Sequence, residues 1–503
     1  MARVLLVNPN KWGRGVTAIW IASHAGLLRR KGHACELFDC TFYNSWTDNE
    51  NSYNTANQQY RPTGYDRLIV WNDNDIFADL QAKVDEFNPD IILGAALSSH
   101  IHGEGEYASI QYYHELISRL QTNALKVAGG LQPTAETAQT AGRFHNFDML
   151  IAGESELAIE ELAVKVDAGD RNPKIPGLVR LLEDGGITEL IKQPIIDDLD
   201  VLGDYDYSIF EDQVFLRPYN GEVVRAVDYE ISRGCIYVCS YCVETSIQSY
   251  YGFTESSKKG AILRPQGYLR AKSAKHAFRE IKHLHEHYGI TLFRCQDTNF
   301  LTIAATTLEP LAKLIDDSGM DIKLYIETRP EGINNKSIHL LNMLKVNGVG
   351  MGVEAGEEQY RETNLHRYAN QDCIVRAFDL LHEAGIRRTA YNVIGFPNQG
   401  EESIIETIKL NILLNPDNIT VAFYSPFIGT DLQRASAREG SFEEYAYGMD
   451  SQLRSRSIEG DNHIDMLKFF KRHFEQLVRG GLEQLSNLKN KINLSSKEKH
   501  QIL

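Results

Sequence analysis

The 503-residue sequence is short of cysteine, proline and tryptophan, with 7, 14 and 4 of each. So few cysteines in so long a chain exclude a disulfide framework and point to a reducing, cytoplasmic setting. No apolar run reaches the length of a membrane span. The opening Met1-Ala2-Arg3-Val4-Leu5-Leu6-Val7 is too short and too poorly flanked for a signal peptide and reads as a first strand. There is no excess of basic charge: a formal net charge of −16 argues against general nucleic-acid binding and leaves room only for a local basic groove. Low-complexity tracts and internal repeats are also absent. A composition of 43% hydrophobic and 24% charged residues is that of a globular chain, and the length suggests roughly two to four domains.

The few cysteines are unevenly placed. Three of the seven fall within Ser232-Arg233-Gly234-Cys235-Ile236-Tyr237-Val238-Cys239-Ser240-Tyr241-Cys242, spaced C-x3-C-x2-C. The preceding Val227–Ile231 reads as a strand, so the thiols sit on a loop at a strand's C-terminal end. A structural zinc site closes a tetrahedron with four protein ligands, and here the fourth would have to come from a distant part of the chain. A [4Fe–4S] cube also takes four ligands, so three cysteines would leave one iron open to an exogenous group.

Residues 1–165 alternate short apolar runs (Val4–Val7, Ala34–Phe38, Asp90–Leu93, Leu125–Ala128, Asp148–Ala152) with helical stretches near Ala18–Lys31, Phe77–Phe87 and Glu106–Leu120. Five such strands predict a flavodoxin-like, doubly wound α/β domain with its ligand beyond the strands' carboxyl ends. Those ends carry small or polar residues: Asn8, then Gly94 with Ser98 and Ser99, then Gly129-Gly130 with Gln132, then Gly153-Glu154. Paired glycines at a strand-to-helix turn allow positive φ and close approach of a bulky ligand. Residues 166–223 read as a connector with a hairpin at Asp184-Gly185-Gly186 and a solvated acidic loop at 197–200. From 224 to 436 six longer strand–helix units follow. Their strands end at the cysteine loop, Gln296-Asp297, Glu327-Thr328-Arg329, Glu354, Gly395 and Ser425. Ser273 is positioned to cap the helix 274–288. Residues 437–503 read as mostly helical, with the Phe469, Phe470 and Phe474 face assigned to core packing and a Lys-rich end in solvent.

The cysteine loop, with Tyr241 before its third cysteine, closely resembles the signature of the radical S-adenosylmethionine (SAM) superfamily. The Val127-Ala128-Gly129-Gly130-x-x-Pro133-Thr134 and Gly153-Glu154-x-Glu156 pieces resemble the cobalamin-binding domain that precedes many radical SAM domains. The resemblance implies a partial (β/α)6 barrel for residues 224–436. It also implies a [4Fe–4S] cluster on Cys235, Cys239 and Cys242, with SAM on its open iron. SAM contacts are then expected from Tyr241, Gln296, Asp297, Glu327, Arg329, Glu354 and Gly395. Arg329 would fork onto the SAM carboxylate and Glu354 would accept from the ribose, while Gln296-Asp297 departs from the family's Gly-Gly-Glu-like element. Cobalamin contacts are expected from Asn8, Gly94, Ser98, Ser99, Gly129, Gly130, Gln132, Gly153 and Glu154. No Asp-x-His-x-x-Gly is present, which puts the lower axial ligand of cobalt in doubt more than the cofactor.

Cobalamin and SAM together imply methylation of an unactivated carbon or phosphorus centre of a small molecule through a 5′-deoxyadenosyl radical and methylcobalamin. An external reductant of flavodoxin or ferredoxin type would supply electrons. A ring-forming, rearranging or oxidative reaction without methyl transfer is the alternative that these motifs leave open. The insert 243–270, rich in Tyr, Lys and Arg, either faces the substrate or bridges the two domains.

Overall fold

The computed structural model describes residues 1–11, 15–47, 63–97, 103–253, 267–437 and 461–490. The first sheet is built from β1 (Arg3–Asn8), β2 (Ala34–Asp39), β3 (Ile91–Gly94), β4 (Leu125–Ala128), β5 (Met149–Ile151) and β6 (Leu178–Arg180), in the order β2-β1-β3-β4-β5-β6. The five expected strands are parallel, in the flavodoxin-like order, and β6 adds an antiparallel edge. Alternating side chains serve opposite faces, as strand geometry requires. Val4 and Leu6 enter one core with α1 (Ile19–Arg30) and α6 (Glu156–Asp167). Leu5 and Val7 enter the other with α2 (Ile76–Phe87) and α3 (Gly103–Ile117). Short helices α4 (Leu131–Ala135) and α5 (Thr137–Arg143) follow the glycine turn after β4.

The second sheet runs β15-β14-β13-β12-β11-β8-β7. Antiparallel β7 (Leu216–Tyr219) pairs with β8 (Glu222–Tyr229), and the two-stranded ribbon β9 (Ser232–Arg233) and β10 (Arg270–Ala271) flanks α7 (Glu244–Tyr250). The parallel series continues through β11 (Leu292–Cys295), β12 (Lys323–Thr328), β13 (Val346–Glu354), β14 (Arg387–Ile394) and β15 (Asn418–Phe423). Its helices are α8 (Ala274–Tyr288), α9 (Ala305–Ser318), α10 (Asn335–Met343), α11 (Glu358–Thr363), α12 (Gln371–Glu383), α13 (Glu401–Leu414) and α14 (Asp431–Ala437). Together these form a partial (β/α)6 barrel. The Ser273 hydroxyl accepts the His276 N–H at 3.2 Å and caps α8 as expected. Helix α15 (Asp461–Gly480) buries Leu467, Phe470, Phe474 and Leu477 against Ile394, Ile404 and Val421, so those phenyl rings are core.

The stretch expected as a connector with a hairpin, 166–223, turns at Asp184-Gly185-Gly186 with Leu181 bridged to Ile187, and it also supplies an edge strand to each sheet (β6 and β7). Its Tyr205, Tyr207 and Phe215 belong to one continuous apolar core running from Val4 in β1 to Val227 in β8. Period-2 patterning does not reveal such edges when they are three or four residues long.

Gly94, expected at the ligand, has a packing reason of its own. A Cβ there would lie 2.4 Å from the Tyr113 ring, whose hydroxyl donates to the Ile92 carbonyl at 2.9 Å. Gly94→Ala should therefore cost about 1–3 kcal/mol in chemical denaturation through overpacking. Unchanged stability would mean that the ring has room to yield.

Candidate active site

Strand β8 delivers the cysteine loop to the barrel rim. Gly234 takes φ +94°, and a Cβ there would meet the Tyr268 carbonyl oxygen at 2.4 Å, so only glycine lets the chain turn under the ribbon. The Gln248 amide of α7 donates to the carbonyls of Cys235 and Tyr237, both at 2.9 Å, and fixes the loop's backbone. Cys235 and Cys239 are buried and Cys242 partly so. Burial pushes the Cys235 thiol up to about 12 and raises Cys242 as well. A thiolate at either position therefore needs a cation against it, which the irons of a cluster would supply. No histidine or carboxylate is grouped with these thiols as a metal ligand among the described residues. Three thiolates and an open coordination position fit a [4Fe–4S] cluster better than a closed zinc tetrahedron.

Around the thiols the rim is densely hydrogen-bonded. Arg329 donates to Cys239 Sγ at 3.4 Å, stacks 3.9 Å over the Tyr237 ring, and pairs with Glu331. Tyr241 packs edge-on to Phe396, 5.5 Å between centroids, beside the Gly395 turn of φ +80°. Glu354 ends β13 at φ +65°, a strained conformation for a non-glycine residue, next to a register shift against β14. It faces Arg367 at 3.5 Å, and Arg367 also donates to the Tyr241 hydroxyl and the Gly352 carbonyl. The structure thus brings Arg329, Glu354, Tyr241 and Gly395 together around the cysteine loop.

Three of the residues expected at SAM are committed elsewhere. Fully buried Asp297 accepts the backbone N–H groups of Ile231 and Ser232 and the Ser232 hydroxyl. It ties the strand to the loop, and burial pushes its carboxyl up to about 7. Gln296 donates to Asp228 at 2.6 Å, inside a network in which Asp228 holds Arg217 and the Thr17 N–H and hydroxyl. Glu327 lies lower in the barrel and accepts from Tyr391 at 3.0 Å; Tyr391 in turn meets Tyr325 at 2.8 Å. These rings fit because Gly348 and Gly350 of β13 have no Cβ to meet them.

The strand ends of the first sheet close against this rim. Leu97 and Leu131 share one apolar cluster with Val243, Ile247 and Tyr268, and Cys242 packs on its edge. At the Gly129-Gly130 turn the Gly129 N–H donates to the Ala95 carbonyl at 2.9 Å and the Thr134 hydroxyl to the Gly130 carbonyl at 2.6 Å. Gly130 has φ +106°, and among the described residues a Cβ there would find its nearest atom 3.9 Å away. Gln132 is buried beside that turn, and Asn8 donates to Asp39 at 3.1 Å. Ser98 and Ser99 lie outside the described residues. Gly153 and Glu154 are not open to a ligand. A Cβ on Gly153 would strike Gln193 and Tyr251, and the Tyr251 hydroxyl accepts the Glu154 N–H at 2.8 Å. Arg270 Nη1 donates to both oxygens of the Glu154 carboxylate, at 2.9 and 3.0 Å. Glu156 pairs with Arg233 at 2.6 Å, and Arg233 also holds Glu230. Both motif acids thus bind the cysteine loop and its ribbon to the first sheet. The start of the 243–270 insert bridges the sheets in the same way, with the Tyr250 hydroxyl donating to the Ala152 carbonyl at 2.9 Å.

Residues 229–410 match the model of the radical SAM superfamily. The chain carries a radical SAM domain. Such a domain implies a [4Fe–4S] cluster and SAM. The chain is 23% identical over 444 residues to the anaerobic magnesium-protoporphyrin IX monomethyl ester cyclase of Rubrivivax gelatinosus, covering 86% of this chain and 69% of that one. It is 24% identical to an uncharacterized methyltransferase of Pyrococcus horikoshii, covering 71% of each. Its fold resembles that of the radical SAM methyltransferase TsrM of Kitasatospora setae, solved with cobalamin and a [4Fe–4S] cluster. There the TM-score is 0.64 at 17% identity, over 87% of this chain and 75% of that one. It also resembles the cobalamin-dependent SAM radical enzyme OxsB, with a TM-score of 0.59 at 14% identity, over 88% and 62% of the chains. The fold is that of cobalamin-dependent radical SAM enzymes. No helix among the described residues is long and apolar enough to cross a membrane.

Sequence reading missed Arg367 and Glu331, which stand in no local motif, and the pairing of Arg233. The Arg233 pair sets a pH test. Burial opposes ionisation of Glu156, but the Arg233 charge overrides it and holds the carboxyl down at about 2, against an ordinary 4.5. Its contribution is therefore complete above about pH 4.5 and lost as pH falls through about 2. Glu156→Gln should lower stability by about 3 kcal/mol at neutral pH. It should also flatten the fall of the melting temperature between pH 4.5 and 2. Parallel melting curves for variant and wild type would show that the pair is not formed.

Proposed function

We propose that this chain is a cobalamin-dependent radical SAM enzyme that methylates an unactivated carbon or phosphorus centre of a small molecule. The supporting observation is the shared apolar cluster that joins Leu97 and Leu131, at the strand ends of the first sheet, to Val243 and Cys242 beside the cysteine loop. A ligand seated over the Gly130 side of the Gly129-Gly130 turn would then adjoin the barrel mouth.

Cys235, Cys239 and Cys242 would hold the cluster, and Asn8, Gly129, Gly130 and Gln132 the corrin. When bound, the cofactors supply radical initiation and a transferable methyl group. The chain's own residues do the rest. Arg329 presents a guanidinium beside Cys239, suited to a carboxylate. Glu354, held by Arg367, offers an acceptor for hydroxyl groups. Tyr241 and Phe396 wall the site with apolar surface that excludes water. Electrons come from an external flavodoxin- or ferredoxin-type reductant. The relative named as a cyclase favours a second reading, in which the same site forms or rearranges a ring without methyl transfer.

Anaerobically reconstituted protein with reductant and SAM should yield 5′-deoxyadenosine. With the substrate present it should also yield S-adenosylhomocysteine and a product one methyl heavier. A product of unchanged carbon count without S-adenosylhomocysteine would favour the second reading. Cys239→Ala should lose the cluster absorbance together with SAM cleavage, and a variant that cleaves SAM normally would overturn the assignment. Gly130→Leu should lose bound cobalamin while keeping its iron. Full cobalamin occupancy in that variant would remove the turn from the corrin site.

A further inference from the structure

The acidic loop at 197–200 and the residues after it do not simply face solvent. They meet the first turns of α8, where His276 and Glu280 are one turn apart on the same face and both are 4% exposed. His276 Nδ1 is 3.0 Å from Asp200 Oδ1, which also accepts the Ser273 N–H at 2.9 Å. That contact orients the ring through Nδ1 and directs Nε2 inward, toward the other two carboxylates. Nε2 stands 3.2 Å from Asp204 Oδ1 and 3.5 Å from Glu280 Oε1, yet makes no aligned hydrogen bond.

Those separations have a natural occupant. Zinc bonds of about 2.0–2.1 Å in a tetrahedron hold their ligand atoms roughly 3.4 Å apart. The second Glu280 oxygen is committed to Lys272 at 2.6 Å and to the Tyr229 hydroxyl at 2.7 Å, which orients the carboxylate without using Oε1. Oε1 accepts only the Tyr205 N–H, at 2.8 Å, among the hydrogen bonds seen. Three carboxylates (Asp200, Asp204, Glu280) face two permanent cations (Lys272, Arg279), so the cluster calls for one further positive charge, supplied by a proton on His276 or by a bound metal ion. Asp204 is half exposed and leaves the fourth position to water.

We propose that Asp204, His276 and Glu280 form a zinc site, with Asp200 orienting the imidazole. The ion staples the segment between the two sheets to the first helix of the barrel. The competitor is Arg279, which also pairs with Asp204 but is more than half exposed and free to swing away.

The test is calorimetric titration of the cluster-loaded full chain with zinc alone, the cluster absorbance being followed throughout. The expected result is one zinc per chain with the cluster absorbance unchanged. His276→Gln should weaken binding by more than ~10-fold, and Asp200→Asn by about 10-fold. Arg279→Ala, a surface change that leaves the fold intact, should tighten it. A purely salt-bridged knot would give no single-site isotherm in the wild type or in any of these variants. The absence of a single-site isotherm, equal affinity in His276→Gln, or weaker binding in Arg279→Ala would each overturn the proposal.

Discussion

Arg233 is a buried cation two residues before Cys235, and the arrangement of the molecule depends on how its charge is met. Glu156 from the first sheet and Glu230 from the second close on it, at 2.6 and 2.8 Å. Arg270 repeats the device by pairing with Glu154. An isolated charge in such a place would cost several kcal/mol, so the two sheets cannot separate without exposing an unpaired ion in the core. The apolar cluster around Leu131 and Val243 lies beside the same junction. The result is a fixed relation between the strand ends of one sheet and the thiols of the other.

Within the barrel the same economy holds. Asp297 gives Oδ1 to the Ile231 and Ser232 N–H groups and the Ser232 hydroxyl, tying strand to loop. Gln296 and Asp228 secure Arg217 and Thr17. The residues with capacity left over are those on the upper rim: Arg329, Glu354 with Arg367, and the Tyr241–Phe396 wall. Strain at Glu354 is concentrated there as well, where the surrounding structure over-determines it.

Much of this was legible in the sequence. Strand-length apolar runs alternating with helical ones gave both sheets, because parallel strands buried on both faces carry their pattern locally. The three-cysteine loop was legible for the same reason: its spacing lies within eight residues. Roles that depend on distant partners were not legible. Glu154 and Arg270 are 116 residues apart, and Glu156 and Arg233 are 77 apart. A motif acid at a strand end therefore looked like a ligand when it is a clamp. Gly94 misled in the same way, since a glycine needed by the Tyr113 ring reads like one needed by a cofactor. Arg367 gave no signal because its partners, Glu354 and Tyr241, become neighbours only in the barrel.

On the proposed function, the strand ends of the first sheet and the three-cysteine loop face one another as a single site. Electron paramagnetic resonance of the reduced, cluster-loaded chain with cobalamin bound tests it most directly. The prediction is a magnetic interaction between the cluster and the cobalt(II) centre that broadens both signals and vanishes when either cofactor is withheld. Two unperturbed signals from a chain carrying both cofactors would contradict the account.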